Sequence, residues 1–236
     1  MAENIARVFA DAVATDPTRP LLTWYDDATG ERTELSGATC ANWVAKTANL
    51  LVDDAAVAPG DPVGVLLPPH WQTAAVLLGC WSVGAAVVQG PTVVQGPTAP
   101  VEVLFTGVDR VGEAADWPAG ERYVLGLAPL GLPLREVPAG FVDYIAEVRG
   151  QGDHFGAYPG GGPQDAELLA RAARRGAELG IGAGDRVLVD ADRHPDPVDW
   201  LLAPLVVGAS VVLCGRPDPA RLADRVTTEK VTVSLT

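Results

Sequence analysis

The chain has 236 residues, 48% of them hydrophobic and 20% charged, with 30 acidic against 17 basic side chains and a net charge of −13. That balance excludes a disordered chain, and its acidity argues against nucleic acid and anionic membrane surfaces as partners, since both are held by Lys and Arg. Cys40, Cys80 and Cys214, odd in number and inside apolar runs without a C-x-x-C spacing, read as buried free thiols of a reducing compartment.

The opening MAENIARVFADAV lacks a basic stretch followed by an apolar one, so no signal peptide is expected and a cytoplasmic location is. Ile5, Val8, Phe9, Ala12 and Val13 share one helical face, and DPTRP ends that helix. LLTWYDDATGERTEL reads as a hairpin around a Gly-containing turn. Ser36 is a good N-cap for a helix over Gly37 to Asp53, with Ala41, Val44, Ala45, Ala48 and Leu51 on its apolar side. The strand PVGVLLP follows, then a helix from about His70 to Val83 whose start His70 caps, then the strand AAVV.

VVQGPTVVQGPT, Val87 to Thr98, is a tandem hexapeptide whose Gly-Pro pairs exclude a helix. VEVLFTG and RYVLGL read as strands, and Phe141, Tyr144, Ile145 and Val148 as a short amphipathic helix. RGQGDHFGAYPGGGP, which contains the polar-loop residue His154, is a loop and the expected boundary between lobes at 1–150 and 151–236. Two later apolar runs, TAAVLLGCWSVGAAVV and WLLAPLVVGASVVLC, fall short of the roughly 20 residues that span a bilayer. Each breaks at VGA, as a buried helix turning into a buried strand does, so no membrane partner is expected.

The chain repeats itself. GDPVGVLLPPHWQTAAVLLGCWSVGAAVV (60–88) aligns without a gap to GDRVLVDADRHPDPVDWLLAPLVVGASVV (184–212) at an offset of 124 residues. Identities include Gly60/Gly184, Asp61/Asp185, His70/His194 and Gly84/Gly208, and each copy follows a helix, over Gly37 to Asp53 and Gln164 to Leu179. Apolar strands alternating with helices predict an α/β fold of two pseudo-equivalent lobes, with largely parallel sheets covered by helices. Any ligand is then expected at the carboxyl ends of the strands.

ELSGATCANWVAKTANLLVDDAAVAPGDPVGVLLPPHWQTAAVLLGCWSVGAAVV resembles the opening region of the adenylate-forming (AMP-binding) superfamily: acyl-CoA synthetases, adenylation domains and luciferases. The tail from ELLARAARRG to VTVSL is similar to that superfamily's second sub-domain, and the whole looks like a short bacterial family of truncated relatives. The resemblance implies activation of a carboxylate with ATP, and a phosphate loop of the type [ST]-S-G-[ST]-T-G-x-P-K before the helix QDAELLARA. That place holds AYPGGGPQD. Gly160, Gly161 and Gly162 offer backbone N–H groups to a nucleotide phosphate, but hydroxyls and lysine are missing, and Asp165 and Glu167 occupy the first helical turn. A glycine-rich connector is the favoured reading. Segments of the Y-G-x-T-E and T-G-D types and a C-terminal domain with its catalytic lysine are also missing; CGRPD matches a G-R-x-D hinge superficially and reads as a strand–helix turn.

His194 follows a core strand where the superfamily often places a residue lining the acyl pocket, and is the ligand-pocket candidate against an ordinary loop histidine. Asp190, Asp192, Asp196 and Asp199 read as a solvated acidic loop rather than a cation site, and Arg171, Arg174 and Arg175 as a solvated helix face. Trp43, Trp71, Trp81 and Trp200 read as core. G-x-S-x-G, H-E-x-x-H, Walker A and G-x-G-x-x-G are absent. The expectation is therefore no catalytic residue, no metal and no cofactor: an inactive scaffold kept as a binding or protein-interaction module, with an unidentified protein partner possible. The alternative is an enzyme using ATP or AMP with Mg at the Gly160–Gly162 segment, completed by a partner, for which only Lys46 and Lys230 are present as lysines.

Overall fold

The computed structural model of the chain describes residues 4–89 and 99–236; the tandem hexapeptide from Gly90 onward lies outside the described residues. The chain forms two compact units, each built on one five-stranded sheet.

The first unit joins the chain up to Ala41, Pro69–Ala74 and Asp165–Thr236. Helix α1 (Ile5–Thr15) leads into the hairpin β1 (Pro20–Asp26) and β2 (Glu31–Ser36), as its sequence predicts. The later elements are α6 (Asp165–Glu178), β8 (Arg186–Asp190), α7 (Ala203–Val206), β9 (Ser210–Gly215), α8 (Pro219–Thr228) and β10 (Val233–Leu235). The sheet runs β10-β8-β9-β1-β2, parallel throughout except for the β1–β2 hairpin. The second unit joins Asn42–Pro68 and Ala75–Gln164. Its strands are β3 (Pro62–Leu66), β4 (Ala86–Gln89), β5 (Val101–Gly107), β6 (Ala119–Leu125) and β7 (Val142–Asp143), in the order β4-β3-β5-β6-β7 and all parallel. Helices α2 (Gly37–Asn49) and α3 (Trp71–Ser82) each have residues in both units, while α4 (Val111–Ala115) and α5 (Tyr144–Val148) belong to the second.

The fold class is as the sequence implies, but the units do not meet at a cut between 150 and 151. β1 pairs in parallel with β9, Leu22 opposite Val211 and Asp26 opposite Gly215, so the N-terminal hairpin belongs to the C-terminal sheet, while residues 151–164 belong to the second unit. The helix expected around Phe141 also begins later. Asp143 accepts from the N–H groups of Ile145 and Ala146 and caps α5 at Tyr144, leaving Val142 to a short strand. Among the tryptophans, Trp71, Trp81 and Trp200 are buried as expected and Trp43 is half-buried. Among the described residues no helix is long and apolar enough to cross a membrane.

The second copy of the repeat lies in the first unit, the first copy lies in the second unit except for Pro69–Ala74, and the two agree bond for bond where their strands pair. β3 pairs with β4 with Pro62 opposite Ala86, and β8 with β9 with Arg186 opposite Ser210, the same register at the 124-residue offset. In the first copy Gly60 N–H donates to Gly84 O at 2.8 Å and Ala86 N–H to Asp61 O at 2.8 Å. In the second, Gly184 N–H donates to Gly208 O at 3.3 Å and Ser210 N–H to Asp185 O at 2.9 Å. The Asp61 carboxylate accepts from Ala58 N–H at 2.8 Å, and that of Asp185 from Gly182 N–H at 2.6 Å. The copies differ in the helix. Where α3 is regular, the second copy starts with a π turn over Val198–Leu202, in which Ala203 N–H reaches back to Val198 O. Pro204 has no N–H to offer there, and Pro195 and Pro197 delay the helix start.

Both helix-to-strand turns pass through a left-handed glycine, Gly84 at φ +76° and Gly208 at φ +75°. A Cβ on Gly208 would meet nothing within 4 Å, whereas one on Gly84 would lie 2.8 Å from the Tyr158 ring and 3.3 Å from Gly161 O. Gly208→Ala should therefore cost about 1 kcal/mol, the backbone strain alone, and Gly84→Ala roughly twice that. Denaturant midpoints of the two variants check the order, and equal losses would contradict it.

Candidate functional site

The glycine-rich segment lies in the second unit and is packed down rather than held open. Tyr158 N–H donates to Ser82 O at 2.8 Å at the end of α3, and its ring lies against Gly84 and Gly160, where a Cβ on either would come within 2.8 Å of it. Gly161, at φ +69°, gives its N–H to Tyr158 O at 3.3 Å, closing a tight turn. At the far end the Gln164 side chain accepts from Val87 N–H at 3.0 Å and so covers the free edge of β4. Of the three N–H groups singled out from the sequence, the central one is thus spent on the turn itself.

Asp165, the first residue of α6, is 2% exposed, and its Oδ2 accepts from Ile5 N–H at 2.9 Å, satisfying one of the first N–H groups of α1. The sequence places Asp165 and Glu167 together as acids of a helical first turn; in the structure only Glu167 is exposed.

His194 sits in the loop between β8 and the π turn, its Nδ1 3.1 Å from Asp199 Oδ2. Asp199 is gripped on its other side by Arg175, with Nε donating at 2.7 Å and Nη2 at 3.2 Å. Burial works to raise the Asp199 carboxyl, but the bonds from Arg175 and His194 hold it below its usual value. Arg171 pairs with Asp196 at 2.9 Å, Asp196 also caps Val198 N–H, and Asp190 accepts from the N–H groups of Asp192 and Arg193. The reading of a solvated acidic loop beside a solvated arginine face holds for Arg171, Arg174, Asp192 and Asp196, which are exposed, and is corrected for Asp190, which is buried, and for Arg175 and Asp199, which are half-buried as a pair. Arg171 and Arg175 staple the loop to α6, because two cations and two carboxylates face each other across it. Among the described residues no three His, Cys, Asp or Glu side chains converge in a way that could hold a metal ion.

Perturbed ionisable groups often mark active sites, and in the first unit the perturbed carboxylates Glu229 and Asp27 sit instead in satisfied structural pairs. Burial pushes the Glu229 carboxyl up, but Tyr25 O–H, Arg186 and Arg32 donate to it and hold it down at about 2. Asp27 is bracketed by Arg225, whose guanidinium also stacks 4.0 Å from the Tyr25 ring centroid. At the carboxyl end of β9, the sequence CGRPD forms the strand–helix turn expected of it. Arg216, left-handed at φ +47°, pairs with Asp26, and Asp218 caps α8 by accepting from Ala220 N–H.

Two cavities lie among the described residues of the first unit. One, of about 70 Å³, lies among Ala12, Pro20, Leu21, Gly208 and Ala209 and is too small for a nucleotide, whose pockets run to several hundred Å³. The other is an open depression beside α6 lined by the stapling arginines with Glu178, Asp196 and Asp199, and His194 does not line it.

Comparison with known proteins places the chain. A family model described as AMP-binding enzyme matches residues 9–92. A TIGR03089 family protein of Mycobacterium tuberculosis is 45% identical over 229 residues, covering 92% of this chain and 91% of that protein. The chain belongs to the TIGR03089 family.

Among solved structures, the acyl-CoA synthetase of Brucella canis superposes with a TM-score of 0.74 at 19% identity, over 98% of this chain and 46% of that one. The N-terminal domain of FACL13 from Mycobacterium tuberculosis gives 0.72 at 16% identity, over 98% and 62%. This TIGR03089 family chain therefore has the fold of the N-terminal part of acyl-CoA synthetases and spans about half the length of the Brucella canis enzyme. The resemblance to the adenylate-forming superfamily drawn from the sequence is borne out.

The residues the sequence did not single out are Tyr158 and Gln164, one in a loop and one at a helix boundary. Their only signal is proximity to the glycines. Asp165→Ala should lower stability by roughly 2 kcal/mol, because it strips the buried Ile5 N–H of its acceptor, whereas Glu167→Ala should stay within about 0.5 kcal/mol. Urea unfolding of both variants tests this, and indistinguishable midpoints would return Asp165 to the role of a surface acid.

Proposed function

We propose that this TIGR03089 family chain is an adenylation-domain-like scaffold that does not form acyl-adenylates itself and serves in the cytoplasm as a binding or protein-interaction module. The observation that carries the reading is the state of the glycine segment. From Ala157 to Gln164 there is no Ser, Thr or Lys, the Gly161 N–H is used by the Tyr158 carbonyl, and the ring of Tyr158 packs on Gly160. A triphosphate needs convergent N–H donors, hydroxyls and a cation that remain available to it. Of the two lysines, Lys46 is engaged with Gln151 O at 2.5 Å and with Asp153 at 2.7 Å, and Lys230 lies in the turn before β10. These residues do not fit ATP with Mg, and no reaction step through that cofactor is derived.

Purified protein should give no pyrophosphate exchange above background over a panel of carboxylic acids. A phosphate-loop lysine or a donor to the developing charge is worth roughly a hundred-fold or more in rate apiece, and the segment supplies no side chain for either. Titration with ATP should likewise give no heat in the calorimeter. A clear ATP signal in the unmodified protein that disappears in Gly161→Val would overturn the scaffold reading and restore that of an enzyme completed by a partner.

A further inference from the structure

His70 is the N-cap of α3. Its Nδ1 accepts from Gln72 N–H at 3.1 Å, the bond that the sequence anticipates for a histidine at a helix start. An imidazole nitrogen that accepts carries no proton, so the ring is the Nε2–H tautomer. The side chain is 2% exposed, and Nε2 has no hydrogen-bonding partner among the described residues. The ring packs edge-on against Trp24 at 4.6 Å between centroids and lies 5.7 Å from Trp71. All of these groups belong to the first unit.

A proton on Nδ1 cannot coexist with this arrangement. It would set two donors, Nδ1–H and Gln72 N–H, against each other, at the end of a helix that already carries the positive pole of its dipole. Trp24, Trp71 and Gln72 carry no charge to set against that of an imidazolium. The charged side chain acting on the ring is Asp26 of β1, and its carboxylate is committed to Arg216.

We propose that His70 is a proton-operated latch on the first turn of α3, closed while the ring is neutral and opened by its protonation. Burial pushes the closed imidazole down to about 3, against the pull of Asp26, while a released histidine titrates near 6.5. The folded value lies below the released one. The latch is therefore fully held above pH 6.5 and loses its hold as pH falls from there towards 3. Carboxylates with ordinary values are still ionised in the upper part of that window, so the stretch from pH 7.5 to 5.5 isolates histidine.

The experiment follows the Gln72 amide by hydrogen exchange at pH 7.5 and 5.5, each rate divided by its intrinsic value. Proton uptake by a released His70 should raise the opening constant about tenfold between the two conditions. In His70→Asn, which keeps a capping acceptor without a titrating group, the constant should stay flat; His154 and the His194–Asp199 pair are common to both proteins and cancel. Equal pH responses in the two proteins would overturn the proposal. Should the variant fail to fold, nitrogen chemical shifts of the wild-type ring decide alone. Nδ1 remaining unprotonated at pH 5.5 in the folded protein supports the latch, and titration near 6.5 with the fold intact refutes it.

Discussion

A helix that must stop and feed a parallel strand within three residues needs one position where the backbone turns left-handed, and both sheets of this protein are organised around that constraint. Gly84 and Gly208 supply it. Around each, the carbonyl of the glycine accepts from the glycine that precedes the incoming strand, and the neighbouring aspartate offers its own carbonyl to the outgoing one. These bonds set the register of β3 against β4 and of β8 against β9. Val63, Val65, Val187 and Val189 lie on the strands so held and are buried. What distinguishes the copies is what covers the turn. The first is roofed by Tyr158 and Gly161, which a Cβ would crowd, while Gly208 has open space.

That roof bears on function. A phosphate loop has to leave its N–H groups unclaimed until the ligand arrives, and a connector has to claim them. The segment from Tyr158 to Gln164 uses one N–H for its turn and one side chain to cover a strand edge, which supports the proposal that it is of the second kind. Elsewhere the strongest electrostatic features are also inward-looking. Glu229 answers to Arg32, Arg186 and Tyr25, and Asp199 to Arg175 and His194. A carboxylate in such a cluster is stabilised in its charged form by partners it already has, which suits it to holding elements together and unsuits it to accepting a substrate's proton.

The repeat, the alternation of apolar strands with helices and the hairpin were legible from residue pattern alone, because each rests on local periodicity or on glycines at fixed spacing. Membership of the N-terminal hairpin in the C-terminal sheet was not, since nothing in PLLTWYD names a partner as distant as SVVLCG. The same limit applies to charges. Arg175 looks like part of a solvated face until Asp199 is laid across it. Asp165 looks like a surface acid until Ile5 arrives. His70 was readable as a cap because a cap is a contact two residues away; its burial against Trp24 was not, because that contact crosses elements.

The pairing of β1 with β9 also imposes an order of events on synthesis. β1 and β2 leave the ribosome early and can form their hairpin, but a lone two-stranded hairpin is only marginally stable in water. Its other neighbour, Val211 to Gly215, is made about 185 residues later (211 − 26), on the order of ten seconds or more at ordinary translation rates. The whole stretch from Asn42 to Pro68 and Ala75 to Gln164 emerges in that interval and has its five strands available to itself. Leu22 and Trp24, both buried in the finished protein, are left without their parallel partner strand for the duration. The nascent chain therefore carries an unfinished sheet edge throughout that interval, a period in which a holding chaperone has something to hold.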